Sequence, residues 1–438
     1  MRTTSKHQTD QHKNKQKKTD RKLCYKMDER REFENPYEDY ETLQDKERND
    51  VINIYLENKV NAEFSTQLKK CAESLLVILD RHLQSTHDQD SDYSVYTGSA
   101  GIALMYFHIS QIQNAKKFLK LAEVLLEPSL PKLKGKRLSL MTGDAGPLAV
   151  AAAVHWHLGN KEKSTAICQR LTDLLPRVLD LKSDLPDEVL YGRAGYLLAL
   201  LFVRNNTTES NVDVRSIQKV VSATLASGKM LAASDPNGPP LMYEWHGKKY
   251  LGAAHGIAGI LFVLIQSMEY LSEEKKDELE HLICQTLDFV LNLCFPSGNF
   301  PSSIGNNSDR LVHWCHGAPA FVPVLCLAYK VFAQERYLHA AETCAKVIWK
   351  RGLLKKGYGL CHGVSGNGYA LLHLYQTTKN IKYLYQGLQF ARWCTTYDKN
   401  QTRKPDRPYS LFEGLAGTIH FLVDAQNPEG AKFPAFYV

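Results

Sequence analysis

The stretch Cys361-His362-Gly363-Val364-Ser365-Gly366, followed within three residues by the apolar run YALLHLY, decides how this chain reads. It is one copy of a short glycine loop that occurs seven times. The other copies are Tyr96-Thr97-Gly98-Ser99-Ala100-Gly101, Thr142-Gly143-Asp144-Ala145-Gly146, Tyr191-Gly192-Arg193-Ala194-Gly195, His255-Gly256-Ile257-Ala258-Gly259, Cys315-His316-Gly317-Ala318-Pro319-Ala320 and Glu413-Gly414-Leu415-Ala416-Gly417. Only the fifth loses its second glycine, to Ala320. First glycines stand 45, 49, 64, 61, 46 and 51 residues apart, and one pair of helices fits each interval.

The flanks agree. Runs such as AGPLAVAAAVHWHL, AGYLLALLFV, AGILFVLIQSM and APAFVPVLCLAYKVF follow the loops and are apolar nearly all round, as in a helix buried on every side. Amphipathic stretches with a charged face precede them: Gln67–Gln84, Lys161–Leu175 (stopping short of Pro176), Glu273–Leu293 and Glu335–Arg351. Period-2 alternation is rare, so strand signals are weak. The sequence predicts an all-α chain of seven outer and seven inner helices. Inner helices this apolar are better buried in a closed (α/α)7 toroid, a double ring, than in an open superhelix. All seven loops then lie at one end, together with the N-termini of the inner helices. Their unpaired N–H groups and partial positive charge favour an anionic ligand there.

That geometry gathers residues far apart in sequence. Cys315, Cys361 and His362 offer two thiolates and one imidazole, a donor set that suits zinc and leaves a fourth position open. His316 competes with His362 for the third place, and buried thiols with capping histidines are the plain alternative. A zinc so held would take a thiol and keep it ionised as a nucleophile. Two sulfur donors weaken the metal as a Lewis acid, which favours thiolate delivery over hydrolysis. His255 and Asp144 are candidates for proton transfer; a core or capping role is the alternative for each. Arg193 and Arg310 read as solvated cations in or near the loops. Trp314, Tyr243, Trp245 and Tyr358 crowd the loop regions, as packing or as walls that exclude water.

The chain has 438 residues, 44% hydrophobic and 23% charged, an ordinary globular composition with net charge +7. Residues 1–31 alone carry +7, so the rest is neutral and is not a nucleic-acid binder by bulk charge. The basic tail, 1–31, reads as disordered and solvated, with contact to anionic lipid or RNA as the alternative, and 32–438 reads as one domain. Met27 is an alternative start. No run approaches the length of a membrane span, no signal peptide is visible, and Gly is not at position 2. Ten scattered cysteines predict a reduced, cytoplasmic protein.

Longer stretches carry a resemblance. Asn35-Pro36-Tyr37, GDAGPLAVAAAV from Gly143, LYGRAGY from Leu190, PLMYEWHGKKYLGAAHGIAGI from Pro240, FPSGNFP from Phe295, LVHWCHGAP from Leu311, KKGYGLCHGVSGNGYA from Lys355, SLFEGLAGTIHFL from Ser410 and KFPAF from Lys432 resemble the eukaryotic LanC-like proteins, relatives of the bacterial lanthionine synthetase cyclases. They span residues 35 to 436 in family order. The resemblance implies a seven-fold double ring, zinc on Cys315, Cys361 and His362, and a catalytic pair at Asp144 and His255. Arg310 is the nearest candidate for an arginine that precedes the first zinc cysteine, at an offset one residue longer. Lys356 and Arg403 match positions that hold glutathione, and Arg31 stands close to the matched region. The activity implied is addition of glutathione to dehydroalanine or dehydrobutyrine in proteins or peptides. A non-catalytic glutathione sensor or scaffold is the alternative.

Overall fold

The structure, a computed structural model, describes residues 30–53, 59–85, 92–397, 399–400 and 403–437. Residues 1–29 of the basic tail, with Met27, lie outside the described residues. Arg30 and Arg31, which the sequence groups with the tail, are described, and the Arg31 carbonyl accepts the Lys355 N–H at 2.9 Å.

Among the described residues, fourteen helices of ten or more residues alternate between two layers. In chain order they are α1 (Ala62–Ser85), α2 (Ser99–Gln113), α3 (Lys116–Leu126), α4 (Ala145–Leu158), α5 (Lys161–Thr172), α6 (Arg193–Asn206), α7 (Val214–Ala232), α8 (Ile257–Gln266), α9 (Glu273–Leu291), α10 (Ala318–Phe332), α11 (Glu335–Arg351), α12 (Val364–Thr378), α13 (Ile381–Cys394) and α14 (Leu415–Asp424). The even-numbered helices are inner. Each starts at a glycine loop and buries most of its surface; α4 buries every residue from Ala145 to His155. The odd-numbered helices are outer and bury one stripe. In α1 that stripe is Phe64, Leu68, Ala72, Leu75 and Leu79, spaced by three or four residues as helical geometry requires. The only sheet among the described residues is a two-residue antiparallel pair, Ile52–Asn53 with Lys59–Val60.

The inner helices form a closed circle. α2 packs on α4, α4 on α6, α6 on α8, α8 on α10, α10 on α12, α12 on α14, and α14 on α2. The chain is therefore an (α/α)7 toroid and not an open superhelix. Five outer helices pack chiefly on the inner helix before them: α3 on α2, α5 on α4, α7 on α6, α11 on α10, α13 on α12. Four of these hairpins turn in two residues, and the first link residue takes the left-handed conformation at Asn114, Gly159, Ala333 and Lys379. The long outer-to-inner connections are the glycine loops. This leaves α1 without a preceding inner helix, and it packs on α14, so the two ends of the chain close the ring.

One helix boundary differs from the sequence reading. α5 ends at Thr172, and Pro176 lies in the first turn of a separate short helix, Leu175–Val178, where its missing N–H costs nothing. The C-terminal residues fill the centre of the ring: Gln266, at the end of α8, donates to Phe436 O at 3.1 Å, Phe436 stacks on Phe262 at 4.4 Å, and Phe433 stacks on Trp314, beneath the fifth loop, at 5.1 Å.

Candidate active site

Backbone hydrogen bonds join the glycine loops into a circle at one end. Tyr96 N–H reaches Met141 O (2.8 Å), Leu140 N–H reaches Gly195 O (2.9 Å), and Leu190 N–H reaches Ala254 O (3.3 Å). Further round, Cys315 N–H reaches Cys361 O (3.2 Å), Cys361 N–H reaches Phe412 O (2.8 Å), and Phe412 N–H returns to Tyr96 O (3.1 Å). Between the fourth and fifth loops, Gly252 lies so close to Cys315 that a Cβ there would overlap the Cys315 carbonyl oxygen. Gly317 takes φ 102°, and a Cβ there would overlap the Leu311 oxygen. The other loops place their second glycine against the carbonyl six residues back; in the fifth loop the first glycine does this, which is why Ala320 is tolerated.

The residue before the first glycine holds one equivalent position in all seven loops: Thr97, Thr142, Tyr191, His255, His316, His362 and Glu413. Each is partly exposed while its following glycine is buried. These side chains rim the mouth of the ring. Asp144 stands one residue after its first glycine, in register with Arg193, and points elsewhere. Its carboxylate accepts the Gly135 N–H at 2.5 Å, and it lines a shallow depression with Arg170 and Arg177. It occupies the cap position of α4 without capping it. Arg193 is not a solvated cation: it is 2% exposed and donates to the carbonyls of Val178, Leu185 and Asp180 and to Asp187.

On the rim, the Cys315 and Cys361 sulfurs and a His362 ring nitrogen lie within 4.8 Å of one another. His316 is not in that group. Burial pushes the Cys361 thiol well above its usual range and Cys315 adds to this, while His362 pulls it down. Two sulfurs and one imidazole gathered this closely fit zinc. Two other groups have ligand-like spacing. His108, His420 and Asp424 stand in α2 and α14, and Asp424 also accepts from Tyr369; Glu123, Glu127 and His155 bridge α3 and α4, with Lys163 on Glu127. In both, the donors already serve one another or a neighbour.

His255 stands on the next loop. Its Nδ1 lies 2.9 Å from Oε2 of Glu188, a carboxylate only 2% exposed that also accepts the N–H groups of Leu190 (2.8 Å) and Tyr191 (2.6 Å). Trp245 stacks on the imidazole at 4.2 Å, with Tyr191 stacked on Trp245 at 5.2 Å. Of the aromatics singled out in the sequence, Trp245 belongs to the site, whereas Trp314, Tyr243 and Tyr358 are buried packing. The partner of His255 is thus Glu188, which the sequence reading missed, and not Asp144. The signal was present four residues before the first glycine. There Ser94, Ser139 and Ser410 accept loop N–H groups, and Glu188 does the same with a reach long enough to touch the next loop.

Cations also reach the rim. Burial drives His313 down to about 3, and His362, Lys356 and Arg31 add to the effect. Burial likewise holds His316 at about 4, with His313, His255 and Lys356 contributing. Lys356 and Arg31 therefore lie close enough to act on an anion at the mouth. Arg310 stands exposed and makes no hydrogen bond or ion pair with the described residues. Arg403 is exposed and pairs with Asp406 at 3.6 Å.

Residues 89–438 match the family described as lanthionine synthetase C-like protein. The chain belongs to that family. Glutathione S-transferase LANCL1 of Danio rerio is 41% identical over 414 residues, which cover 94% of this LanC-like chain and the whole of that protein. The solved structure of nisin cyclase matches 84% of this chain and 96% of its own with a TM-score of 0.65, at 15% identity, a likeness of fold. No helix among the described residues is long and apolar enough to cross a membrane.

Proposed function

We propose that this LanC-like chain adds glutathione to dehydroalanine and dehydrobutyrine residues of proteins or peptides, with zinc on Cys315, Cys361 and His362. The observation that carries the reading is the convergence of that soft donor set with a His255–Glu188 pair on adjoining loops of one rim. The name of the Danio rerio relative supports glutathione as the thiol. A zinc ion on these three side chains would supply an open position at which a thiol is acidified.

The residues of the chain divide the remaining work. Lys356 and Arg31 attract the two carboxylates of glutathione, and the inner-helix N-termini reinforce them. Arg403, at the edge of the ring, is a further partner for a carboxylate. Glu188 accepts a hydrogen bond from the Nδ1–H of His255, which leaves Nε2 unprotonated and able to accept the proton of the thiol. The sulfur then forms a bond to the β-carbon of the dehydroamino acid, and the alkene electron pair moves towards the α-carbon. His255 returns the proton to that carbon, so protons and electrons balance with no further reactant. Glu188 stabilises the imidazolium formed between the two transfers. Asp144 and Arg310 have no part in this scheme.

Nine cysteines are unpaired among the described residues, which supports a reducing, cytoplasmic setting. The test is to incubate the zinc-loaded protein with glutathione and a dehydroalanine peptide and weigh the products. A peptide heavier by one glutathione, formed faster than in buffer, is expected. Retained glutathione with no adduct above the buffer rate would favour a binding protein instead.

A further inference from the structure

We infer that Glu413 is the specificity residue for the ammonium group of glutathione; the inference rests on the glutathione reading above and extends it. Three observations lead here. Glu413 holds the same loop position as His255, His316 and His362, and it is the only carboxylate among the seven residues of the rim. It is partly exposed between the buried Phe412 and Gly414. Among the described residues its carboxylate has no hydrogen-bond or ion-pair partner, although its own N–H is held by Ser410 Oγ at 3.3 Å.

Three other acids at the loop end are committed elsewhere. Glu188 is held by His255 and two loop N–H groups, Asp92 by Thr97 and Ser94, and Asp309 by Arg351 and Asn299. A half-buried carboxylate left unpaired on a rim that collects seven helix N-termini and two cations is placed for an outside partner.

Its location says which partner. The seventh loop adjoins the sixth: Leu360 and Cys361 both donate their N–H to Phe412 O, at 2.9 and 2.8 Å. Burial pushes the Tyr96 hydroxyl up, and Cys361, Cys315 and Glu413 each add to this, as groups that lie near one another do. Glu413 therefore flanks the sulfur donors on one side, while His255 flanks them on the other. The donor atoms within 4.8 Å of one another are those of Cys315, Cys361 and His362, so Glu413 is a neighbour of that set and not a fourth member.

A thiol seated at the donors presents its remaining groups to both flanks. Glutathione carries two carboxylates and one ammonium. Lys356 and Arg31 suit the carboxylates, and the ammonium would be repelled by the same field unless an anion receives it. Among the seven rim residues, Glu413 is the uncommitted anion.

The experiment uses the zinc-loaded full chain and two thiols: glutathione, and the analogue in which hydrogen replaces the α-ammonium. Binding of each is measured by calorimetry for the parent, Glu413→Gln and Glu413→Asp. The parent should prefer glutathione by about tenfold. Glu413→Gln should lose that preference while binding the analogue as the parent does, which also reports an intact site. Glu413→Asp, which keeps the charge, should retain part of the preference. If Glu413→Gln keeps the full preference, the inference is wrong and the proposed function stands. If the parent binds neither thiol, the glutathione reading and this inference fall together.

Discussion

Glu188 uses both carboxylate oxygens, Oε1 on Tyr191 N–H and Oε2 on Leu190 N–H and His255 Nδ1. Glu188→Gln keeps the size of the side chain but removes the charge that opposes the imidazolium. It should lower kcat by about tenfold or more while leaving KM for glutathione and the circular dichroism spectrum unchanged. A rise in KM with no change in kcat would make Glu188 a residue of thiol binding instead. At this scale the sequence was partly legible. Cysteines recurring at one repeat position stand out against a background of helix-embedded thiols. Asp144 stands one residue beyond the rim position of its loop, and its carboxylate is taken by the Gly135 N–H, a contact between loop residues that the repeat pattern does not announce. Arg193, in the same register, is deeply buried, and no local signal separates such a guanidinium from a solvated one.

At the scale of the element, the loops are held by close backbone approach. A Cβ at Gly366 would overlap the carbonyl oxygen of Leu360, an atom with no freedom to yield because the Leu360 N–H is bonded to Phe412 O. Gly366→Ala should cost about 1–3 kcal/mol in urea unfolding and displace the loop that carries Cys361 and His362. Unchanged stability would mean that the loop is looser than described. The recurring glycine gave away the number of helices and the layer of each. It did not reveal which partners form a hairpin. The two-residue links with a left-handed first residue decide that, and Asn114, Ala333 and Lys379 carry no common signature.

For the whole molecule, closure depends on α1 meeting α14 and on the C-terminal plug, contacts between chain ends that no repeat pattern announces. The same packing buries histidines within the ring. Burial drives His373 and His420 each down to about 3, against an ordinary value near 6.5. A base with a lowered folded value is protonated first in the unfolded chain. Stability is therefore full above about pH 6.5 and falls as pH drops towards 3, by about 2 kcal/mol per histidine at pH 5. His373→Phe should reduce the loss between pH 7.5 and pH 5, read from urea midpoints, by about that amount; an unaltered pH dependence would show that His373 titrates normally.

Seven loops, bound edge to edge, hold two sulfurs and an imidazole from separate repeats within reach of a single cation. X-ray absorption at the zinc edge, on the protein as purified, tests this most directly. Two sulfur neighbours at about 2.3 Å and a nitrogen at about 2.0 Å are predicted, with zinc lost in Cys361→Ala. A first shell of nitrogen and oxygen alone, or full zinc retention in that variant, would contradict the account.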